Sequence, residues 1–191
     1  KILIAFSTID QPGSQIKLGR IEACDSGLHQ PVARSCPFFI WNAGERQALR
    51  DEVPRDHHAA WKPPAKRRDP IDVLEESNRD RLPELVPIRY GRMLRSPFTF
   101  LRGSAGLMAY DLAAAPNTGM RVQACGDCHL LNFGMFATPE RNLVFDINDF
   151  DETLPAPWEW DVKRLAASFA VAARDKNFAD KDARGAAVTC A

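Results

Sequence analysis

The chain has 191 residues, 45% of them hydrophobic, and its 25 basic and 25 acidic side chains cancel to a formal net charge of zero. That length suits one domain with a sizeable core, and the balanced charge gives no footprint for nucleic acid or a membrane surface as partner. Cys24, Cys36, Cys125, Cys128 and Cys190 show no disulfide framework, and no apolar run reaches membrane-span length or forms a secretory leader, so the expected compartment is the cytoplasm.

The chain begins at Lys1 and ends in an apolar run, so it reads as a fragment. Residues 1 to 44 carry Gly, Pro, Ser and Gln without sustained periodicity, and are expected to be a poorly defined or disordered extension. Cys24, His29 and Cys36 lack a fourth ligand at metal spacing and read as incidental. A short helix is expected over Glu45 to Val53. An extended segment follows over His57 to Pro64, because residues before proline avoid helical geometry. Lys66-Arg67-Arg68 reads as a solvated face.

Asp69-Pro70-Ile71-Asp72 opens a helix, with Asp as cap, Pro at the first helical position and a further acid in the first turn. Ile71, Leu74 and Leu82 predict that it runs to about Arg81, before Pro83. Arg89, Arg92 and Arg102 lie near aromatic anchors. They suit bidentate phosphate or carboxylate contacts, or else pairing with Asp149, Asp151, Glu152 and Glu159 downstream. Ser104 to Ala115 reads as a buried helix whose glycine-containing start could meet an anion, although no phosphate-loop consensus is present.

The most informative stretch runs from Val122 to Asp161. Met120 to Ala124 and Asn142 to Phe145 read as strands, with Thr138 to Arg141 as a turn between them. Paired as a hairpin, they would bring Asp127, Asn132 and Asp146 to one end. Pro155 to Trp160 reads as a proline-aromatic turn with Trp158 and Trp160 in the core, and Val162 to Arg174 as a strong helix. The density of carboxylates at Asp146, Asp149 and Asp151 calls for a cation or an arginine partner, because like charges repel at short range.

Several chemistries compete for these letters. Cys125-Gly126-Asp127-Cys128-His129 spells C-x-x-C-H, the attachment string for c-type haem, but haem is not expected without export and with an acidic strand motif following. Zinc would need a second ligand pair, and the two cysteines read as small buried residues flanking the loop. Two carboxylates and an Asn instead match what phosphoryl transfer uses: one acid to orient the attacking hydroxyl, an amide oxygen and a second acid for magnesium.

On these residues the chain resembles the aminoglycoside-phosphotransferase and choline-kinase branch of the protein-kinase-like superfamily, whose catalytic loop reads H-G-D-x-H-x-x-N. Gly126, Asp127, His129 and Asn132 match that loop, Phe145-Asp146 the following strand end, and Trp160-Asp161 the later helix start. Cys125 departs from the usual His. The resemblance implies Asp127 as catalytic base or orienting group, Asn132 and Asp146 as Mg2+ ligands, and Asp161 as a structural brace. His129, Asp149, Asp151 and Arg102 are candidates for a place beside the metal or on the substrate side, with His129 a hydrogen-bonding residue of the loop and not the base. ATP and a small-molecule hydroxyl acceptor are the implied partners.

A closer resemblance, through R-Y-G-R-M, S-P-F-T-F-L-R-G, G-D-C-H-L-L-N-F-G and F-D-I-N-D-F-D-E-T in that order, is to a bacterial family known only as domain of unknown function 2252. It runs from about Glu45 to the C-terminus. The expected fold class is α+β: a partial kinase-like domain over residues 45 to 191, resembling a helical C-terminal lobe with a small β-hairpin carrying the catalytic loop. No glycine-rich strand turn or lysine-bearing strand precedes Asp127, so the nucleotide-clamping part is expected beyond Ala191. A pseudokinase-like binding domain and a metal-dependent hydrolase are the alternatives.

Overall fold

The computed structural model describes residues 43–59 and 61–191. The expected extension over residues 1 to 44, with Cys24, His29 and Cys36, thus lies outside the described residues but for its last two positions.

The fold is α+β, with seven helices and two small antiparallel sheets among the described residues. Helix α1 spans Ala43–Glu52. His57 and His58 do not extend; they form a 3-10 turn over Arg55–Ala59, because the proline restriction begins only at Lys62. Arg67 forks the Asp111 carboxylate at 2.6 Å through each nitrogen and so does not stand free in solvent.

Helix α2 (Pro70–Glu76) opens as its sequence demands, the Asp69 carboxylate accepting the Ile71 N–H at 2.7 Å. It stops short of Arg81. The Ser77 hydroxyl donates to the Leu74 carbonyl and a series of turns follows, leaving Leu82 exposed rather than on a continued stripe. Pro87 starts α3 (Val86–Met93) and Pro97 starts α4 (Pro97–Gly103). At α4, Ser96 and Thr99 exchange side-chain and backbone hydrogen bonds in a reciprocal cap. Helix α5 covers Ala105–Leu112.

Strand β1 (Arg121–Ala124) forms where the sequence predicts, but its partner is different. It pairs antiparallel with β4 (Leu154–Pro157), setting Arg121 opposite Pro157 and Ala124 opposite Leu154. The hairpin is instead β2 (Phe133–Ala137) with β3 (Leu143–Ile147), joined through the turn at Thr138 to Asn142. The prolines disguise β4. Pro155 and Pro157 are two apart, so both missing N–H groups face the open edge of a two-stranded sheet. The intervening register faces β1, and the Trp158 N–H continues it to the Met120 carbonyl at 3.3 Å.

Helix α6 (Trp158–Asp175) therefore begins directly from β4, four residues before the expected Val162, and Trp158 and Trp160 are half-buried at its start. It packs along α7 (Asp180–Cys190) and against α4, α5 and β1. Leu74, Met93, Leu112, Ala124, Val144 and Ala156 are among the buried apolar residues. No helix among the described residues is long and apolar enough to cross a membrane.

Candidate functional site

One face of α6 organises the loop from Cys125 to Asn132. Asp161, Arg164 and Ser168 stand three and four residues apart, a spacing that aligns them on a helix. The Asp161 carboxylate accepts the N–H groups of Cys125 at 2.7 Å and Gly126 at 3.2 Å. Arg164 binds Asp127 Oδ1 through Nε at 2.8 Å and through Nη2, while Nη2 also donates to the Leu101 carbonyl. The Ser168 hydroxyl accepts the Leu130 N–H at 2.9 Å. Three successive points of the loop are thus pinned by one helix face.

The loop can take this path only with glycine at position 126. Its φ is +84°, and an added Cβ would lie 2.0 Å from the Glu152 carbonyl oxygen. Burial raises the Asp161 pKa, against the lowering pull of the two N–H donors and of Arg164.

Asn132 is 6% exposed and closes the loop from the other end. Its amide nitrogen donates to the Asp127 carbonyl at 3.1 Å and the Asp149 carbonyl at 3.2 Å, leaving Oδ1 without a hydrogen bond among the described residues. The Asn148 N–H meets the Asn132 carbonyl at 2.8 Å, extending the β2–β3 ladder. Within that ladder Asp146 lies opposite Gly134. A Cβ on Gly134 would come 2.3 Å from Asn148 Nδ2, so the absent side chain makes room for Asn148. Asp146 Oδ1 accepts the N–H of Ile147 at 2.7 Å.

His129 is buried against Phe98, edge to face at 6.5 Å, with Nε2 3.5 Å from Asp127 Oδ2. Burial lowers its pKa; Asp127 opposes that effect, and Arg102 and Arg164 add to it. Its Nδ1 is buried without a partner among the described residues. Cys125 and Cys128 are buried too, and the Cys128 thiol is raised by its hydrogen bond to Cys125 and by burial.

A cleft of about 1140 Å³ runs between this loop and helices α2 to α5. Asp127, His129, Asn132, Asn148 and Asp149 line one side, and Arg81, Arg89, Arg92 and Arg102 also line it. Asp146 and Asp151 do not line the cleft. Asp149 Oδ1 caps the N–H of Asp151 at 3.0 Å, and Asp151 is exposed.

None of Arg89, Arg92 and Arg102 is ion-paired with the acidic segment. Arg89 donates to Asn78 Oδ1 and to the Gly103 carbonyl, whereas Glu159 is buried beneath the N–H and hydroxyl of Thr118, each 2.7 Å from Oε1. The acidic segment's one arginine ion pair among the described residues is Arg81 with Glu152, at 4.0 Å. Nor do His, Cys, Asp and Glu side chains there form a group of three or more able to hold a metal.

Sequence reasoning missed Arg164, Ser168 and Asn148 as parts of this site. The signal for the first two was three polar residues at helical spacing on an alanine-rich helix; for Asn148 it was the glycine across the hairpin.

Comparison with curated proteins gives no match, and none is found among solved structures. Residues 81–191 do match one family model, and they include the helix α6 and the loop it pins. The chain belongs to the family described as an uncharacterized protein conserved in bacteria, domain of unknown function 2252.

Proposed function

We propose that this chain carries the catalytic part of a Mg2+- and ATP-dependent phosphotransferase acting on the hydroxyl of a small molecule. The observation that carries the reading is the loop fixed by α6, which holds the Asp127 carboxylate and the Asn132 amide at one wall of a large cleft. Phosphoryl transfer leaves little covalent chemistry to the protein, so fixed positions matter more than a strong base. Asp127 Oδ1 is held by Arg164, while Oδ2 has only His129 nearby among the described residues, at 3.5 Å. That second oxygen is available to accept and orient an acceptor hydroxyl.

Asn132 Oδ1 at the cleft wall and the second oxygen of Asp146, outside that lining, have no hydrogen bond among the described residues, and in this reading they are the groups that would hold Mg2+. Mg2+ is commonly held by one or two protein carboxylates plus substrate phosphates, so a site without three protein acids suits this metal. When bound it would supply charge neutralisation for the transferring group. Burial lowers the pKa of His129 and so favours its neutral form beside Asp127.

A second reading has one observation in its favour. Arg164 already holds one oxygen of the central carboxylate in a buried ion pair, a structural role that a non-catalytic binding domain would also use. A thermal-shift titration with Mg2+ or Mn2+, with and without ATP, on the chain and on Asp146→Asn separates the two. Ligand at a hundred times its Kd stabilises by about 2.7 kcal/mol, so a shift is readily seen. A shift needing metal and ATP together, and lost in the variant, supports transfer. A metal shift indifferent to ATP favours a hydrolase, and no shift favours the binding domain.

A further inference from the structure

Four arginines line the cleft that Asp127 faces, and their charges are poorly matched. Arg89 on α3 is half-buried, yet among the described residues its guanidinium hydrogen-bonds only to neutral oxygens, Asn78 Oδ1 and the Gly103 carbonyl. Burial lowers its pKa, and the nearby Arg81 adds to that. Arg92, one turn along α3, and Arg102, in the last turn of α4, make no hydrogen bond or ion pair among the described residues. The carboxylates lining the same cleft are Asp127, taken by Arg164, Glu152, 4.0 Å from Arg81, and Asp149, which caps Asp151.

The half-buried charge of Arg89 is unfavourable without an anion, the exposed guanidinium groups of Arg92 and Arg102 line the same cleft, and guanidinium forks match phosphate oxygens. The start of α5 adds donors: Ala105, Gly106 and Leu107 line the cleft, no side chain caps that end, and Gly106 has open space where a Cβ would stand. Arg102 lines the same cleft as Asp127 and His129.

We infer that the wall formed by Arg89, Arg92 and Arg102 seats a phosphate group carried by the acceptor, so that the acceptor is a phosphorylated hydroxyl compound. As a statement about the acceptor this rests on the transfer reading above. Its logic is positional: the orienting oxygen of Asp127 takes the hydroxyl, and the arginines hold the same molecule by its other end.

The test is calorimetric titration of the chain with glycerol phosphate, with inorganic phosphate, and with ATP, all without metal and at ionic strength fixed by chloride. Saturable binding of glycerol phosphate is expected. The double variant Arg92→Gln/Arg102→Gln should weaken it at least about tenfold, the factor one charge-assisted hydrogen bond is worth. Neither residue is bonded within the described residues, so the variant should keep the wild-type Tm. Equal phosphate affinity in variant and wild type overturns the inference, as does the absence of saturable binding. Metal-free ATP binding tighter than glycerol phosphate, with the same arginine dependence, reassigns the wall to the nucleotide and overturns the acceptor claim. A failed Mg2+–ATP shift with phosphate binding intact removes the transfer reading and leaves the phosphate seat standing.

Discussion

Arg164 holds Asp127 from beneath: its side chain is 3% exposed, its Nε lies 2.8 Å from Asp127 Oδ1, and Asp127 itself keeps 23% exposure. The carboxylate is therefore a structural partner as well as a candidate reacting group. Asp127→Ala leaves a buried guanidinium with the Leu101 carbonyl and the Met108 sulfur as its remaining partners. Because Asp127 is partly exposed, the loss should be about 2–4 kcal/mol, at or below what breaking a fully buried pair costs. Urea unfolding measures it. Asp127→Asn keeps an oxygen for Arg164 and should lose less, which makes it the better variant for activity. Equal midpoints for Asp127→Ala and wild type would mean the pair is not formed.

Gly126→Ala should cost more than about 2 kcal/mol, since it combines a positive φ with a collision against backbone. The offending atom is the Glu152 carbonyl oxygen, 2.0 Å from the added Cβ, and backbone cannot rotate away as a side chain would. Gly91→Ala serves as the control: nothing lies within 4 Å of its added Cβ, and its helical site should gain slightly from alanine. Comparable stability of the two variants in chemical denaturation would contradict the loop geometry.

His129 sets a pH dependence. Its folded pKa is depressed by burial, with Asp127 opposing and Arg102 and Arg164 reinforcing. The unfolded chain therefore binds the proton more readily near the ordinary value of about 6.5. Stability from this group is fully present above that value and is lost as pH falls through the lower folded pKa. Stability should thus decline from pH 7.5 to pH 5 in buffered melts, and His129→Gln should flatten that part of the profile. A profile unchanged by the substitution would remove His129 as its cause.

Thr118 makes a buried accommodation for Glu159. Its N–H and hydroxyl both reach Oε1 at 2.7 Å, and the hydroxyl also receives the Trp158 indole N–H at 3.1 Å. Glu159 is 3% exposed and its Oε2 has no partner among the described residues. Thr118→Val removes one of the two donors and should destabilise by about 1.5–3 kcal/mol, the range for a hydrogen bond to a charged group. Adding Glu159→Gln to that variant should recover part of the loss, because the buried charge is gone. A double variant no more stable than Thr118→Val would place the cost elsewhere.

Local chemistry written over a few residues was legible in the sequence. The Asp69 cap with Pro70 starts a helix because the carboxylate satisfies a free N–H and the ring suits the first helical position. The turn after β2 and the strand run before Cys125 were equally readable. The end of α2 was not, because Leu82 continues the spacing but Ser77 and the following turns divert the chain. Strand β4 was hidden because prolines argue against a strand unless their missing N–H groups face an open edge.

The sequence by itself determined the α+β class, the family and the order of chemistry-bearing residues, since motif spacing and capping act over short separations. Tertiary structure decided which strands pair and what holds Asp127. Arg164 is 37 residues away from that carboxylate along the chain, and Asp161 is 36 from the Cys125 N–H it accepts. Such contacts exist only once α6 has packed beneath the loop, because they join groups no local periodicity relates. The same packing decided between the two readings that Arg89, Arg92 and Arg102 left open, setting them in the cleft wall without ion pairs to Asp149, Asp151, Glu152 or Glu159.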